Sequence, residues 1–373
     1  MLFKKNKDGK ITREKVLAAL SHVDDPDLKK DLVTLGMIKD IEIEGKKVSF
    51  SVVLTTPACP MKDAIQNACI NAIKLMVDQE AEVTANMTAN VTADQNNKTL
   101  PLVKNIIAIS SGKGGVGKST IAANMAVALA NTGAKVGLVD ADIYGPSVPI
   151  LFGFEGERPS LEKVGEKDLL IPFERHGVKL MSIGVLMRPN QAVVWRGPMA
   201  SKALQQLIFD TNWGELDYLL VDLPPGTGDI HLTLVQQLPV TGAIVITTPQ
   251  KVAVSDARKG AEMFKMPQLK VPLLGVVENM SWFIPDDAPD KRYPIFGSGG
   301  GQMLADSIGA PLLAQLPMRQ GIVENADAGK PVTLYDDGIL SNSFIELAKA
   351  LAQQVAIRNA TQPPTNKVEM SPL

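Results

Sequence analysis

Apolar and polar positions change their period several times along the chain. Residues 11–20 place their apolar side chains at helical spacing, residues 41–53 alternate apolar with polar in two strand-like pieces, and residues 61–76 return to a helical period. That order predicts a small α+β unit over residues 1–91. Residues 92–102 are polar with a proline near the end, the composition of a linker. From Val103 onward, short apolar runs at 103–109, 135–139, 216–221, 242–247 and 271–277 alternate with helical stretches. A βα repeat of this kind predicts an α/β domain over residues 103–358, with a mostly parallel, doubly wound sheet. A helix-like run at 344–355 closes it, and residues 359–373, with a Pro-Pro pair, read as a disordered tail.

Polar residues gather where the apolar runs end: Asp140, Asp222 and Glu278 each follow one. Open α/β sheets bind ligands at that edge. The run 103–109 leads through Ser110 into Ser111-Gly112-Lys113-Gly114-Gly115-Val116-Gly117-Lys118-Ser119-Thr120, which satisfies GxxxxGK[ST]. Phosphate oxygens need many short donors, so a backbone that turns its N–H groups inward must be rich in glycine. Residues 112–120 are therefore the expected cradle for a nucleoside triphosphate, with Gly112, Gly114, Gly115, Val116, Gly117 and Thr120 contributing backbone. Lys118 supplies a point charge near the β- and γ-phosphates, Ser119 offers a hydroxyl to Mg2+, and the helix that begins there turns its positive end to the anion. The second lysine, Lys113, cannot easily turn back into its own loop. It is either a solvated surface cation or a group that reaches phosphates held by a neighbouring chain.

The loop from Lys113 to Ser119 resembles the deviant P-loop of the MinD, ParA and nitrogenase iron protein class, in which the early lysine acts across a nucleotide-sandwich dimer. Within that class the chain resembles the Mrp/ApbC family of iron–sulfur cluster carrier ATPases. Asp140-Ala-Asp-Ile-Tyr-Gly-Pro-Ser147, Asp222-Leu-Pro-Pro-Gly-Thr-Gly-Asp229 and Glu278-Asn-Met-Ser281 carry that resemblance. It implies a homodimer that binds and hydrolyses ATP and passes clusters to apo iron–sulfur client proteins. It also implies that Asp142 orients the attacking water, although a turn or N-cap carboxylate has the same local pattern. Asp222, at a strand end, is placed like the acidic residue that holds Mg2+, and the glycines after it let the segment respond to the γ-phosphate. The resemblance gives Asn279 a contact with adenine, and a side-chain amide can both donate and accept there. Arg319, in the segment matching the one that closes over the base, either stacks on the ring or stands as a surface charge. The N-terminal unit resembles the PaaD-like domain found ahead of such ATPases.

One departure stands out. Many Mrp/ApbC members carry Cys-x-x-Cys just after Asn-Met-Ser, so that a dimer bridges a 4Fe-4S cluster with four thiolates. Residues 281–301 of this chain hold no cysteine, and Asp286, Asp287 and Asp290 are hard oxygen ligands that suit such a cluster poorly. Trp282, Phe283 and Phe296 are either client or dimer contacts or core. Two cysteines are present in all. Cys59, between Pro57 and Pro60 and ahead of a helix, is either a thiolate lowered by the helix terminus and able to hold iron, or an inert thiol. Cys69 falls in an apolar helical pattern and reads as core.

Charge adds little to this picture but narrows it. A formal net charge of -2 does not favour nucleic acid, and no apolar run reaches membrane-spanning length. Met1-Leu-Phe-Lys-Lys lacks the apolar core of a signal peptide, which makes the cytoplasm the expected compartment. The alternative is a MinD/ParA-like switch whose ATP state controls binding to a surface or partner. A Pro-containing tail is a poor membrane helix for that role.

Overall fold

The computed structural model describes residues 10–93, 99–186, 197–334 and 338–365. The chain divides into two compact units, Met1–Thr92 and Ala93–Leu373. The first contains α1 (Arg13–Leu20), β1 (Asp24–Asp25), β2 (Lys30–Asp31), β3 (Ile38–Glu44), β4 (Lys47–Leu54), α2 (Lys62–Met76) and β5 (Glu82–Ala89). Strand β4 is central, antiparallel to β3 and parallel to β5. Its alternation puts Val48, Phe50, Val52 and Leu54 on one buried face, where Val16 and Leu20 of α1 and Ile65, Cys69 and Ile73 of α2 complete the core.

The second unit opens with β6 (Val103–Ser111), α3 (Lys118–Asn131), β7 (Val136–Asp140) and the short α4 (Val148–Leu151). A hairpin of β8 (Leu161–Val164) and β9 (Lys167–Leu170) precedes β10 (Phe173–Arg175), β11 (Val178–Ser182) and α5 (Gly197–Phe209). Then come β12 (Leu216–Asp222), α6 (Asp229–Gln237), β13 (Gly242–Thr247), α7 (Lys251–Lys265) and β14 (Leu273–Glu278). The chain continues through α8 (Gly300–Ile308), β15 (Leu312–Gln315), α9 (Gln320–Asp327) and α10 (Ile339–Thr361). Among the described residues the large sheet has eight strands in the order β10-β11-β7-β12-β6-β13-β14-β15, and only β10 runs antiparallel to its neighbour. The fold class is therefore α/β with a mostly parallel sheet, beside the small α+β unit.

Strand order positions the site. Strand β12 inserts between β6 and β7, so in the register Asp222 lies beside Asp140 on one flank and Ile109 on the other, and Ser182 of β11 lies beside Asp140. The C-terminal ends of β6, β12 and β7 thus meet at one edge. The glycine-rich loop leads into helix α3, which lies in the interior: its residues 121–129 are all buried, and it packs against α10. The Ala-rich run in α3 suits that placement, because short side chains let neighbours approach closely.

Two boundaries and one group of strands differ from the sequence pattern. The fifth run of the second unit becomes a strand only at Leu273, since Pro272 has no N–H to give a ladder. The apolar period did not reveal β8 to β11: all are short, and β8, β9 and β10 are exposed or half-buried, whereas β11 is mostly buried. Helix α10 runs on to Thr361, beyond the expected boundary at 358, because Asn359 Nδ2 donates to Asn105 Oδ1 at 2.9 Å and Arg358 donates to Pro363 O at 3.2 Å and Thr365 Oγ1 at 2.5 Å. Residues 366–373 of the expected tail and 94–98 of the expected linker lie outside the described residues.

Candidate nucleotide and metal site

The glycines of the loop answer two separate demands. Gly115 and Gly117 have φ of +81° and +83°, the left-handed region where a Cβ is costly, and Gly117 leads directly into α3. Gly112 is needed for space instead: a Cβ there would stand 2.2 Å from backbone atoms of Asp256 and Ala257 in α7. No side chain caps α3, so its first-turn N–H groups remain available to an anion.

Lys118 heads that helix and is buried. Its Nζ lies 2.6 Å from Asp222 Oδ1 and 3.8 Å from Asp142 Oδ2. Burial pushes the Asp222 carboxyl up from the usual range, while Lys118 and the Ser119 hydroxyl hold it back. The other oxygens of the pair, Asp222 Oδ2 and Asp142 Oδ1, are buried with no hydrogen-bond partner. Two orphaned carboxylate oxygens beside a hydroxyl make a hard-oxygen donor set that fits Mg2+. Backbone bonds tie the surrounding segments together: Gly226 N donates to Ser111 O at 2.8 Å, and Ala141 N to Asp222 O at 2.9 Å.

Asp140 has a different task from its neighbours. Its Oδ1 accepts the Asp142 amide at 3.1 Å, and its Oδ2 accepts the Val148 amide and the Ser182 hydroxyl at 3.0 Å each. It therefore shapes the turn that carries Asp142 and starts α4. Burial, and then the charge of Asp222, raise its carboxyl to about 7.

The base-side residues divide. Asn279 is brought to the loop: its Nδ2 donates to Val116 O at 2.9 Å and sits where a Cβ on Gly117 would be, 2.3 Å away. Arg319 pairs instead with Asp286 of the 281–301 segment, Nε to Oδ1 at 3.1 Å. In that segment Arg292 lies over the Trp282 ring at 4.8 Å from its centroid, and Trp282, Phe283 and Phe296 are half-buried.

Cys59 corrects an expectation. Its thiol is raised, not lowered, chiefly by burial and further by Asp27 and Asp25. Helix α2 begins only at Lys62 and Cys59 packs against the core of the first unit, so desolvation outweighs the helix terminus. Cys69 is wholly buried, its thiol pushed up to about 11. Among the described residues no group of three or more His, Cys, Asp or Glu is placed to hold a metal.

Two residues received no role from the sequence. His231 of α6 is 1% exposed with neither ring nitrogen hydrogen-bonded, and it meets Phe264 edge-on at 5.7 Å between centroids. Glu278 is fully buried and accepts three side-chain or backbone donors. A charged residue at the end of an apolar strand was the available signal for Glu278, and nothing in the local pattern marked His231.

Comparison with known proteins decides the family. Residues 102–355 match the family described as NUBPL iron-transfer P-loop NTPase, and residues 13–86 match one described as iron-sulfur cluster assembly protein. The chain belongs to the iron-transfer P-loop NTPases. An iron-sulfur cluster carrier protein from Synechocystis is 46% identical over 351 residues, covering 93% of this chain and 99% of that one. Another from Deinococcus radiodurans is 44% identical, covering 94% and 97%. Among solved structures, a nucleotide-binding protein from Archaeoglobus fulgidus in complex with ADP is 36% identical, with a TM-score of 0.55 over 66% of this chain and 95% of that one. No helix of the described residues is long and apolar enough to cross a membrane.

Proposed function

We propose that this iron-transfer P-loop NTPase is an iron–sulfur cluster carrier or scaffold that binds and hydrolyses MgATP as a homodimer, and delivers clusters to apoproteins in a reducing compartment such as the cytoplasm. The observation that carries the nucleotide part is the Lys118–Asp222–Asp142 group, in which Lys118 and Asp222 are buried, with its two orphaned oxygens. Cluster cargo and client delivery rest on the carrier relatives that match this chain along nearly their whole length. Those relatives favour the carrier over a MinD/ParA-type surface switch.

In this reading, residues 112–120 wrap the phosphates with backbone N–H groups, and Lys118 exchanges its Asp222 partner for phosphate oxygens. Asp222 and Ser119 would hold Mg2+, which when bound would neutralise phosphate charge. Asp142, freed from the lysine, orients the attacking water. Asn279 exchanges its bond to Val116 O for the adenine edge, and Arg319 closes the base side. Lys113 reaches the γ-phosphate of the partner's nucleotide.

The cargo needs thiolates. Cys69 is sealed in a core, so Cys59 is the chain's available sulfur. The test is anaerobic reconstitution with iron and sulfide, read by visible absorbance and iron content, on the parent and Cys59→Ala, with ATP turnover measured on both. Iron in the parent and none in the variant supports Cys59 as a ligand. Equal iron in both sinks that assignment, and an absence of ATP turnover sinks the ATPase.

A further inference from the structure

Residues 278–281 join the nucleotide loop to the segment in which this chain has no cysteine pair, and one carboxylate holds the junction. Glu278 Oε1 accepts the Ser281 hydroxyl at 2.8 Å and the Gln315 amide at 2.8 Å, and its Oε2 accepts the Gly301 backbone N–H. All three donors are neutral. Ser281 and Gly301 are the two ends of the 281–301 segment, and Gln315 leads into residues 316–319, so one side chain ties both ends of the segment to the root of the base-side strand. Gly301 must be glycine for this, because a Cβ there would stand 2.6 Å from Glu278 Cβ.

The tie continues beyond the strand. Met318 N donates to Trp282 O at 2.7 Å and Ile284 N to Met318 O at 3.0 Å, so the start of the segment pairs with residues 316–318, and Asp286 then holds Arg319. On the other side, Asn279 donates to Val116 O inside the phosphate loop. Between Asn279 and Ser281, Met280 has a φ of +56°, a conformation that a side chain of this kind rarely adopts and that persists only where its surroundings impose it. Met280 is thus a strained residue with one neighbour bonded to the nucleotide loop and the other to a buried carboxylate.

We propose that Glu278 is a positioning residue that couples nucleotide occupancy at residues 112–120 to the conformation of residues 281–301. The inference rests on the nucleotide reading above. Nucleotide draws Asn279 off Val116 O, the Met280 turn relaxes, and Glu278 passes the shift to both ends of the segment. Coupling of this kind is reciprocal, so a client held by the segment changes nucleotide affinity by the same factor.

Trp282 lies in the segment and reports on it. In fluorotryptophan-labelled protein, with its resonance assigned by Trp282→Phe, MgADP is expected to shift the Trp282 fluorine signal. Glu278→Gln offers one acceptor oxygen and puts an amide against the donors. It is expected to bind MgADP within about threefold of the parent by calorimetry while the Trp282 shift is lost. A full shift in Glu278→Gln overturns the proposal, as does a parent that binds MgADP with no shift. A parent that binds no nucleotide overturns the nucleotide reading and this inference together. Should Glu278→Gln fail to fold, Ser281→Ala and Gln315→Ala each remove one donor. An attenuated shift supports the coupling, and an unchanged shift in both refutes it.

Discussion

Lys118 stands between the buried Asp222 and the half-buried Asp142 before any phosphate arrives, and it pairs with the Asp222 carboxylate that the site would otherwise bury uncompensated. Removing one partner of such a group costs far more than the pair is worth. Lys118→Ala is expected to abolish nucleotide binding and also to lower the stability of the nucleotide-free protein by about 3–5 kcal/mol. Adding Asp222→Asn to that variant should restore much of the stability and none of the binding, as measured by denaturant titration and calorimetry. His231 makes the opposite case, a titratable group buried with no charged partner to stabilise its cationic form. Burial lowers its imidazole to about 4, whereas in the unfolded chain it titrates near 6.5. Across that window the unfolded state binds more protons, so stability rises with pH there and is lost as pH falls from about 6.5 towards 4, by up to about 3 kcal/mol. Urea midpoints at several pH values should be flatter between those limits for His231→Gln; parallel slopes for both proteins would refute the assignment.

At the scale of elements, α3 is anchored at more than its phosphate end. Thr333 N donates to Asn124 Oδ1 at 3.1 Å, and the Thr333 hydroxyl donates to the same oxygen at 2.9 Å, all buried. The turn at 332–334 is thereby fixed to the middle of the phosphate helix, just after α9. Gly329, with φ +70°, approaches Gly153 so closely that a Cβ would stand 2.7 Å from its Cα, which places α9 against the turn following α4. The phosphate helix, the Asp142 turn and the base-side segment therefore share one packed unit. Thr333→Val keeps the volume and removes the hydroxyl, and should cost about 1–2 kcal/mol. Its thermal midpoint should recover on adding MgATP if the packing serves the nucleotide-bound form, and an unchanged midpoint without nucleotide would count against the anchor.

At the scale of the whole molecule, the loop places two lysines in one phosphate cradle, yet only Lys118 is buried with the local carboxylates. Lys113 is half-buried at the start of the loop, with its carbonyl accepting the Ser111 hydroxyl at 3.0 Å. In the proposed homodimer, a cation at that position would serve the second chain. Lys113→Ala is expected to bind MgATP as the parent does, to stay monomeric when ATP is added, and to lose roughly a hundredfold in turnover. Sedimentation with ATP, together with phosphate release, checks it, and equal turnover by the two proteins would refute the role in trans.

The chemistry of the phosphate loop was written in consecutive residues, because a P-loop works through local backbone conformation, and glycine, lysine and serine at fixed spacing specify that conformation without help from the rest of the chain. The alternation of apolar runs with helical stretches likewise determined a parallel α/β sheet. Strand order was not so determined: an apolar run says that a strand is buried, not which strand lies beside it. Only the insertion of β12 between β6 and β7 set Asp222 against Asp140 and brought Lys118 to both Asp222 and Asp142. Desolvation is also a property of the assembled fold, which is why the sequence context of Cys59 suggested a lowered thiol and its packing raised it. Glu278 shows the limit most clearly, since its three donors come from residues 281, 301 and 315. What a carboxylate does depends on which N–H and O–H groups reach it, and contacts across such separations exist only once the chain has folded.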